Sequence, residues 1–370
     1  MNNVYENITD MIGHTPLLRL GRSLSDPPPG LWLKETCPDY KAKPLLSTLY
    51  AKVEFLNPGG SVKDRIARQM IQDAEADGRL KPGGTIVEAT SGNTGAGLAV
   101  IAATKGYKCI FVMPDKMSAE KINALRAFGA KVVITPRTAG PKDADYYVNV
   151  ATRLGKEIPG AFHTNQYFNP GNINGHYKST GPELWSQIDG QIDCFVCGIG
   201  TGGTMSGTAK YLREKNPNIR IVGVDPVGSI YRSVFETGKM PEYKSFLVEG
   251  VGEDMIPDSM DLKMLTDVVS IGDEESFAAT RMLATREGLL VGGSCGLAFY
   301  GALQFLMRWE HRGGKPLRTV VLLPDSGSRY LTKVFNPTWL KGQDLKAHWA
   351  GQDMGGPVEY LPTAKKIEGV

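Results

Sequence analysis

Between residues 85 and about 225 the chain alternates short β-rich runs with helical ones, and no other feature restricts its fold so strongly. TIVEAT is followed by GAGLAVIAATKG, CIFVMP by SAEKINALRAFG, KVVIT by a longer helical stretch, and DCFVCGIG by GTAKYLREKN before IRIVGVDP. Val and Ile crowd the short runs, and strand–helix alternation of this kind builds an α/β fold with a mostly parallel sheet covered by helices on both faces. TVVLLP at 319–324 predicts a late strand. Such sheets hold ligands at the carboxyl ends of their strands, so a site is expected in the loops after TIVEAT and DCFVCGIG.

At 370 residues the chain is too long for one simple core and suits two domains, or one large α/β unit with a mobile part. A net charge of +3, with Lys and Arg spread along the sequence, gives no electrostatic case for a nucleic-acid partner. No apolar run reaches the length of a membrane span, and MNNVYENITDMIG lacks the basic-then-apolar order of a secretory signal, so a cytoplasmic protein without a membrane partner is expected. The five cysteines, Cys37, Cys109, Cys194, Cys197 and Cys295, are too few and odd in number for a disulfide framework. Cys194 and Cys197 have the spacing of a metal or redox pair, yet in an apolar strand residues three apart face opposite sides. No second Cys or His pair lies nearby to complete a tetrahedral site, so buried strand cysteines and no metal are expected. Residues 21–50, with PPP and KETCPDYKAK ahead of the strand-like LYAKVEF, predict a surface insertion, and residues 336–370 predict a tail.

Two glycine-rich loops carry the chemistry. GIGTGGT at 198–204 joins an apolar strand to a helix, where backbone N–H groups and the helix dipole favour a phosphate. Gly198, Gly200 and Gly203 also satisfy a dinucleotide fingerprint, with Asp225 near the position of a ribose-binding acid, so an NAD(P)-dependent oxidoreductase is one alternative. TSGNTG at 90–95 offers hydroxyls, an amide and free N–H groups to a carboxylate or phosphate; by itself it reads equally as an N-cap through Ser91 or Asn93. Two anion sites at strand ends suit a phosphorylated cofactor and a carboxylate-bearing substrate. In PGGSVKDRI, Lys63 stands after a glycine turn at a helix start, where the dipole depresses its pKa. Alone it reads as a solvated charge with Asp64 as local partner; beside the two loops it suggests pyridoxal phosphate, with the lysine for the aldehyde.

The ordered set GHTPLLRL, NPGGSVKDR, EATSGNTG, NQYFNPGN, GIGTGGT, VEGVG and GGSCG spans roughly residues 10 to 335 and resembles the cysteine synthase and cystathionine β-synthase family of fold-type II pyridoxal-phosphate enzymes. The resemblance implies two open, twisted, mostly parallel sheet domains with the cofactor in the cleft: 1–52 and 170–335 the larger, 53–169 the smaller and mobile, 336–370 a C-terminal tail. It implies that Lys63 is the catalytic Schiff-base lysine, that Asn93 bonds the cofactor's 3′-oxygen, and that Gly200, Thr201, Gly202, Gly203 and Thr204 hold its phosphate. Thr90, Ser91, Asn93, Thr94 and Gln166 fall where the family grips the substrate carboxylate, and Ser294 where a hydroxyl meets the pyridine nitrogen. A neutral hydroxyl there makes a shallower electron sink than a carboxylate and favours loss of a β-substituent. Asp225 is then a strand-end residue and the dinucleotide fingerprint a false positive.

Within that family VEGVGEDMIPDSMD is similar to the cystathionine β-synthase form, which implies cystathionine synthesis from L-serine and L-homocysteine through an aminoacrylate. The alternative is cysteine synthesis from O-acetylserine and sulfide. Glu253 stands where these enzymes usually carry a tyrosine, and it is expected either to face the substrate or to be a solvated loop acid. Small amino-acid and thiol substrates and a homodimer are implied, whereas neither haem nor adenosyl-nucleotide regulation is. A catalytically silent relative is opposed by the intact Lys63, Asn93 and Ser294.

Overall fold

The computed structural model describes residues 4–25, 45–115, 117–343 and 345. Among the described residues ten strands form two sheets. The larger sheet comprises β1 (Leu17–Arg19), β2 (Thr48–Val53), β7 (Cys194–Gly198), β8 (Arg220–Pro226), β9 (Asp267–Ile271) and β10 (Arg318–Leu323), in the order β1-β2-β10-β7-β8-β9. Only β1 runs antiparallel, pairing Leu18 with Ala51 at the sheet edge. The smaller sheet orders β5 (Lys131–Thr135), β4 (Lys108–Pro114), β3 (Thr85–Ala89) and β6 (Ala161–His163), all parallel. Each β-rich run of the 85–225 segment is a strand, and the late run at 319–324 is β10, in the middle of its sheet.

Alternate residues of the central strands feed two separate cores. Cys194 and Val196 join the cluster built on the helix Gly293–His311, while Phe195 and Cys197 join the one beneath the helix Gly203–Lys215. The two cysteines therefore lie on opposite faces of β7, as residues three apart in a strand must. Gly293–His311 is buried at every position from Gly293 to Met307, so it is an inner helix, apolar all round. The helices Lys63–Ala76 and Asn93–Lys105 pack on the smaller sheet, burying Ile71, Leu98 and Ile101 against Phe111. Beyond residue 335, Trp339 packs edge to face on Phe277, which docks the start of the expected tail. Most of the expected insertion, residues 26–44, and most of the tail, residues 346–370, lie outside the described residues.

A buried ionic cluster fixes the start of the Lys63 helix. The Arg65 guanidinium donates to Glu54 Oε2 at 2.7 Å and Oε1 at 2.8 Å, and to Glu183 Oε1 and Oε2 at 2.7 Å each. Lys52 adds a 2.8 Å bond to Glu183, and Thr15 of the GHTP segment donates to Glu54 at 2.6 Å. Burial pushes the Glu54 carboxyl up, but the Arg65 and Lys52 charges outweigh it and hold the group below its usual range. Four chain segments are thus pinned two residues beyond Lys63. Arg65→Met leaves two buried carboxylates short of their main partner, and it is expected to cost about 3–5 kcal/mol of stability in a urea titration. A loss under about 1 kcal/mol would mean that the cluster is not what holds this corner.

Candidate active site

The carboxyl ends of β10 and β7 and the start of the Lys63 helix converge on one place. Ser61 bridges to Asp325 just past β10, and Gly292 N–H donates to Asp325 O at 3.2 Å, which brings Lys63 and Ser294 to the same strand end. Lys63 is the first residue of its helix and only partly exposed. Its ammonium makes no ion pair among the described residues; Asp64, the local partner the sequence offers, turns instead to the Gly59 N–H. Burial lowers the Lys63 pKa below the ordinary 10.5, with Cys197, Asp325 and Glu253 pulling weakly the other way. The Lys63 pKa is therefore depressed, and its cause is desolvation, where the sequence points to the helix dipole.

Asn93 begins the helix after β3 and is clamped across the cleft. Its Nδ2 donates to Asp325 Oδ2 at 2.8 Å, and its Oδ1 accepts from Arg329, which also donates to Gly59 O. Tyr330 Oη donates to the same Asp325 oxygen at 2.6 Å. Asp325, Arg329 and Tyr330 were not singled out by the sequence, although PDSGSRY follows the TVVLLP strand and the strand-end rule applied to it as well.

In the TSGNTG loop the capping role belongs to neither Ser91 nor Asn93. Thr90 Oγ1 accepts the N–H groups of Gly92 at 2.9 Å and Gly95 at 3.2 Å. Gly92 has φ +127°, and this sharp backbone turn carries the hydroxyl of the residue two before it over the helix start. The Thr90 hydroxyl is thereby engaged within the protein, while the N–H groups of Ser91, Asn93 and Thr94 donate to no acceptor among the described residues. Thr94 Oγ1 donates to Gln166 Oε1 at 2.7 Å, and Gln166 Nε2 donates to Glu88 Oε1 at 3.2 Å. Burial pushes Glu88 up to about 7.

The second loop fits a phosphate on two counts. The backbone N–H groups from Gly200 to Met205 donate to no acceptor among the described residues, and they surround the amino end of the 13-residue helix Gly203–Lys215. The loop itself has no room for side chains: a Cβ on Gly200 would lie 2.7 Å from Gly250 O, and one on Gly203 would overlap Asn172 Oδ1. That Asn172 oxygen is buried without a partner, while its Nδ2 donates to Gln166 O at 2.8 Å and Thr201 Oγ1 at 3.0 Å. Asn172 therefore links this loop to the Thr94–Gln166 pair. Thr204 Oγ1 lies 3.1 Å from His176 Nε2; burial, with the Arg65 and Lys63 charges, keeps this imidazole neutral. Ser294 is buried at the second position of its helix, and its hydroxyl bonds to no group among the described residues. Asp225, by contrast, is buried and accepts the Arg232 N–H at 3.0 Å.

Two mostly parallel sheets, with a glycine-rich loop that fits an anion after β7 and a partly buried lysine at the end of β10, make the architecture of the fold-type II pyridoxal-phosphate enzymes. The chain belongs to the pyridoxal-phosphate dependent enzyme family, whose family model matches residues 8–325. It is 45% identical over 338 residues to a cystathionine beta-synthase of Apis mellifera, covering 91% of this chain and 63% of that protein. To an O-acetylserine dependent cystathionine beta-synthase of Bacillus subtilis (strain 168) it is 40% identical over 330 residues, covering 89% of this chain and 97% of that one. A hydrogen sulfide-producing enzyme of Fusobacterium nucleatum superposes with a TM-score of 0.77 at 35% identity, covering 89% of this chain and all of that one. The chain thus spans less than two thirds of the length of its Apis mellifera relative. Among the described residues no helix is long and apolar enough to cross a membrane.

Proposed function

We propose that this chain joins L-serine and L-homocysteine into cystathionine by a β-replacement that uses pyridoxal phosphate. The observation that carries the reading is Lys63: a desolvated amine with no ion pair among the described residues, two residues from the Ser61–Asp325 bridge at the strand end where Asn93 is also bonded to Asp325. When bound, the cofactor supplies an aldehyde that condenses with amines and a ring that delocalises charge from the substrate's α-carbon. Lys63 Nζ, Asn93, the Gly200–Thr204 loop and the Ser294 hydroxyl would hold it.

The N–H groups of Ser91, Asn93 and Thr94, with the Thr94 hydroxyl and the Gln166 amide, bind and orient the substrate carboxylate. The neutral Lys63 Nζ takes the α-proton and returns a proton to the departing hydroxyl oxygen, without which hydroxide is a poor leaving group. The donor's Cβ–O bond breaks and water leaves with the proton taken from Cα; a Cβ–S bond then forms, and the thiol's proton passes through Lys63 Nζ to Cα. Residues 53–169 serve as the smaller body that closes over the carboxylate and excludes water, against a larger body of 1–52 and 170–335. The Lys121–Glu249 ion pair supports this division, since it joins the helix Ala119–Ala127 to the VEGVG segment across the cleft.

A second reading keeps homocysteine but takes O-acetylserine as donor. It is supported by the match to 97% of the length of a relative whose name states that dependence. Turnover should be compared for serine plus homocysteine, O-acetylserine plus homocysteine, and O-acetylserine plus sulfide. Cystathionine from the first pair is expected. Cystathionine from the second pair alone would transfer the donor role to O-acetylserine, and turnover with sulfide alone would overturn both readings.

A further inference from the structure

The Asn93 carboxamide is engaged at both ends by the opposite wall of the cleft. Asn93 opens the helix Asn93–Lys105; its Oδ1 accepts from Arg329 Nη1, and its Nδ2 donates to Asp325 Oδ2 at 2.8 Å. A carboxylate only accepts and a guanidinium only donates, so these two partners fix which end of the amide is which. Turned over, the amide would set oxygen against carboxylate and NH2 against guanidinium, and both anchors would be lost together. The carboxamide has two N–H groups, and Asp325 takes one of them. One N–H is left for a ligand, while the oxygen faces the guanidinium.

Both partners are held in turn. Asp325 is fully buried, its backbone bridges to Ser61, and its carbonyl accepts the Gly292 N–H at 3.2 Å. A Cβ on Gly292 would overlap Asp325 Oδ1, so on that side the carboxylate has no room to swing away from Asn93. Tyr330 Oη donates to Asp325 Oδ2 at 2.6 Å; burial, then the Asp325 charge, push this hydroxyl well above its ordinary range and keep it a donor. Arg329 also donates to Gly59 O, in the glycine turn that leads to Lys63. One side chain therefore steadies both Asn93 and the approach to the lysine.

The 3′-oxygen of pyridoxal phosphate lies beside the aldehyde carbon and accepts hydrogen bonds, so a carboxamide facing it serves only with an N–H forward. We propose that Asp325 and Arg329 are positioning residues that lock the Asn93 carboxamide with a single N–H free for that oxygen. They act through Asn93 and need touch neither cofactor nor substrate. This rests on the pyridoxal-phosphate reading of Asn93 above.

Equilibrium dialysis of the cofactor-free chain compares pyridoxal phosphate with 3-deoxypyridoxal phosphate, which keeps the aldehyde, ring nitrogen and phosphate but lacks the 3′-oxygen. The unaltered chain is expected to prefer pyridoxal phosphate by about tenfold or more. In Asp325→Ala that preference should fall to about threefold or less, with affinity for the deoxy compound changed by less than about threefold. Asn93→Ala should lose the preference to the same degree, and Asp325→Ala combined with Asn93→Ala should lose no more than either alone. If Asp325→Ala keeps the unaltered preference where Asn93→Ala loses it, or weakens both compounds alike, the positioning role is overturned. Should Asp325→Ala not fold, Arg329→Gln, at a half-buried position, frees the other end of the amide: a preference lowered about threefold or more is expected, and an unchanged one overturns the role. A preference that survives Asn93→Ala overturns instead the reading of Asn93, and an unaltered chain that binds neither compound overturns the pyridoxal-phosphate reading beneath it.

Discussion

Lys63→Ala is expected to lower turnover by about 10³-fold or more, because one side chain carries both the covalent link to the cofactor and the proton transfer at the substrate's α-carbon. The substitution shortens a partly exposed side chain that makes no ion pair, so the fold should keep its stability to within about 1 kcal/mol in denaturant titration. Lys63→Arg should fail almost as completely, since a guanidinium stays protonated and cannot act as a neutral nucleophile. The pH profile gives a second readout. Burial lowers the Lys63 pKa from 10.5, so the amine is neutral above the depressed value and charged below it. Activity should therefore fall as pH drops through that value, and the acidic limb of kcat, which reports the bound complex in which Lys63 is a released amine, should lie below 10.5. A Lys63→Ala variant that retains more than a tenth of the turnover would remove this lysine from the mechanism.

The parts of the site set by local sequence were readable before any coordinates. β3 and β7 end where the apolar runs end, and the loops that follow them carry the unpaired N–H groups. Lys63 is legible as a candidate because a glycine turn, a lysine and a helix start lie within a few residues. Roles that depend on distant partners are not. Arg65 meets Glu183 across 118 residues of chain and Asn93 meets Asp325 across 232, and no periodicity links positions so far apart. The Thr90 cap was missed for a subtler reason: Ser91 and Asn93 are the stronger capping types, but the positive φ of Gly92 hands the task to the residue before them. The alternation of strands and helices likewise did not mark where the chain leaves one sheet for the other. That crossing lies between β6 and β7, in the helical stretch from Gly171 to Gln187, where the sequence keeps its rhythm.

Asn172 is the clearest case of a residue whose meaning is three-dimensional, and it supports the second large effect. Gly203→Ala would drive a Cβ into the Asn172 carboxamide, which is held by bonds to Gln166 O and Thr201 Oγ1. Helix propensity alone favours alanine over glycine at such a position by up to about 1 kcal/mol, so any loss must come from the collision. The carboxamide has to leave, and its departure releases Thr201 from Gln166 and disturbs the row of N–H groups that fits a phosphate. Cofactor affinity is expected to fall by about 100-fold or more in equilibrium dialysis against pyridoxal phosphate, with the KM for the donor rising as the Gln166 backbone loses its tie. Combining Gly203→Ala with Asn172→Gly removes the obstructing atoms and should return much of the affinity, which a general disruption of the helix start would not allow. Affinity within threefold of the unaltered chain in Gly203→Ala would place the phosphate somewhere other than this loop.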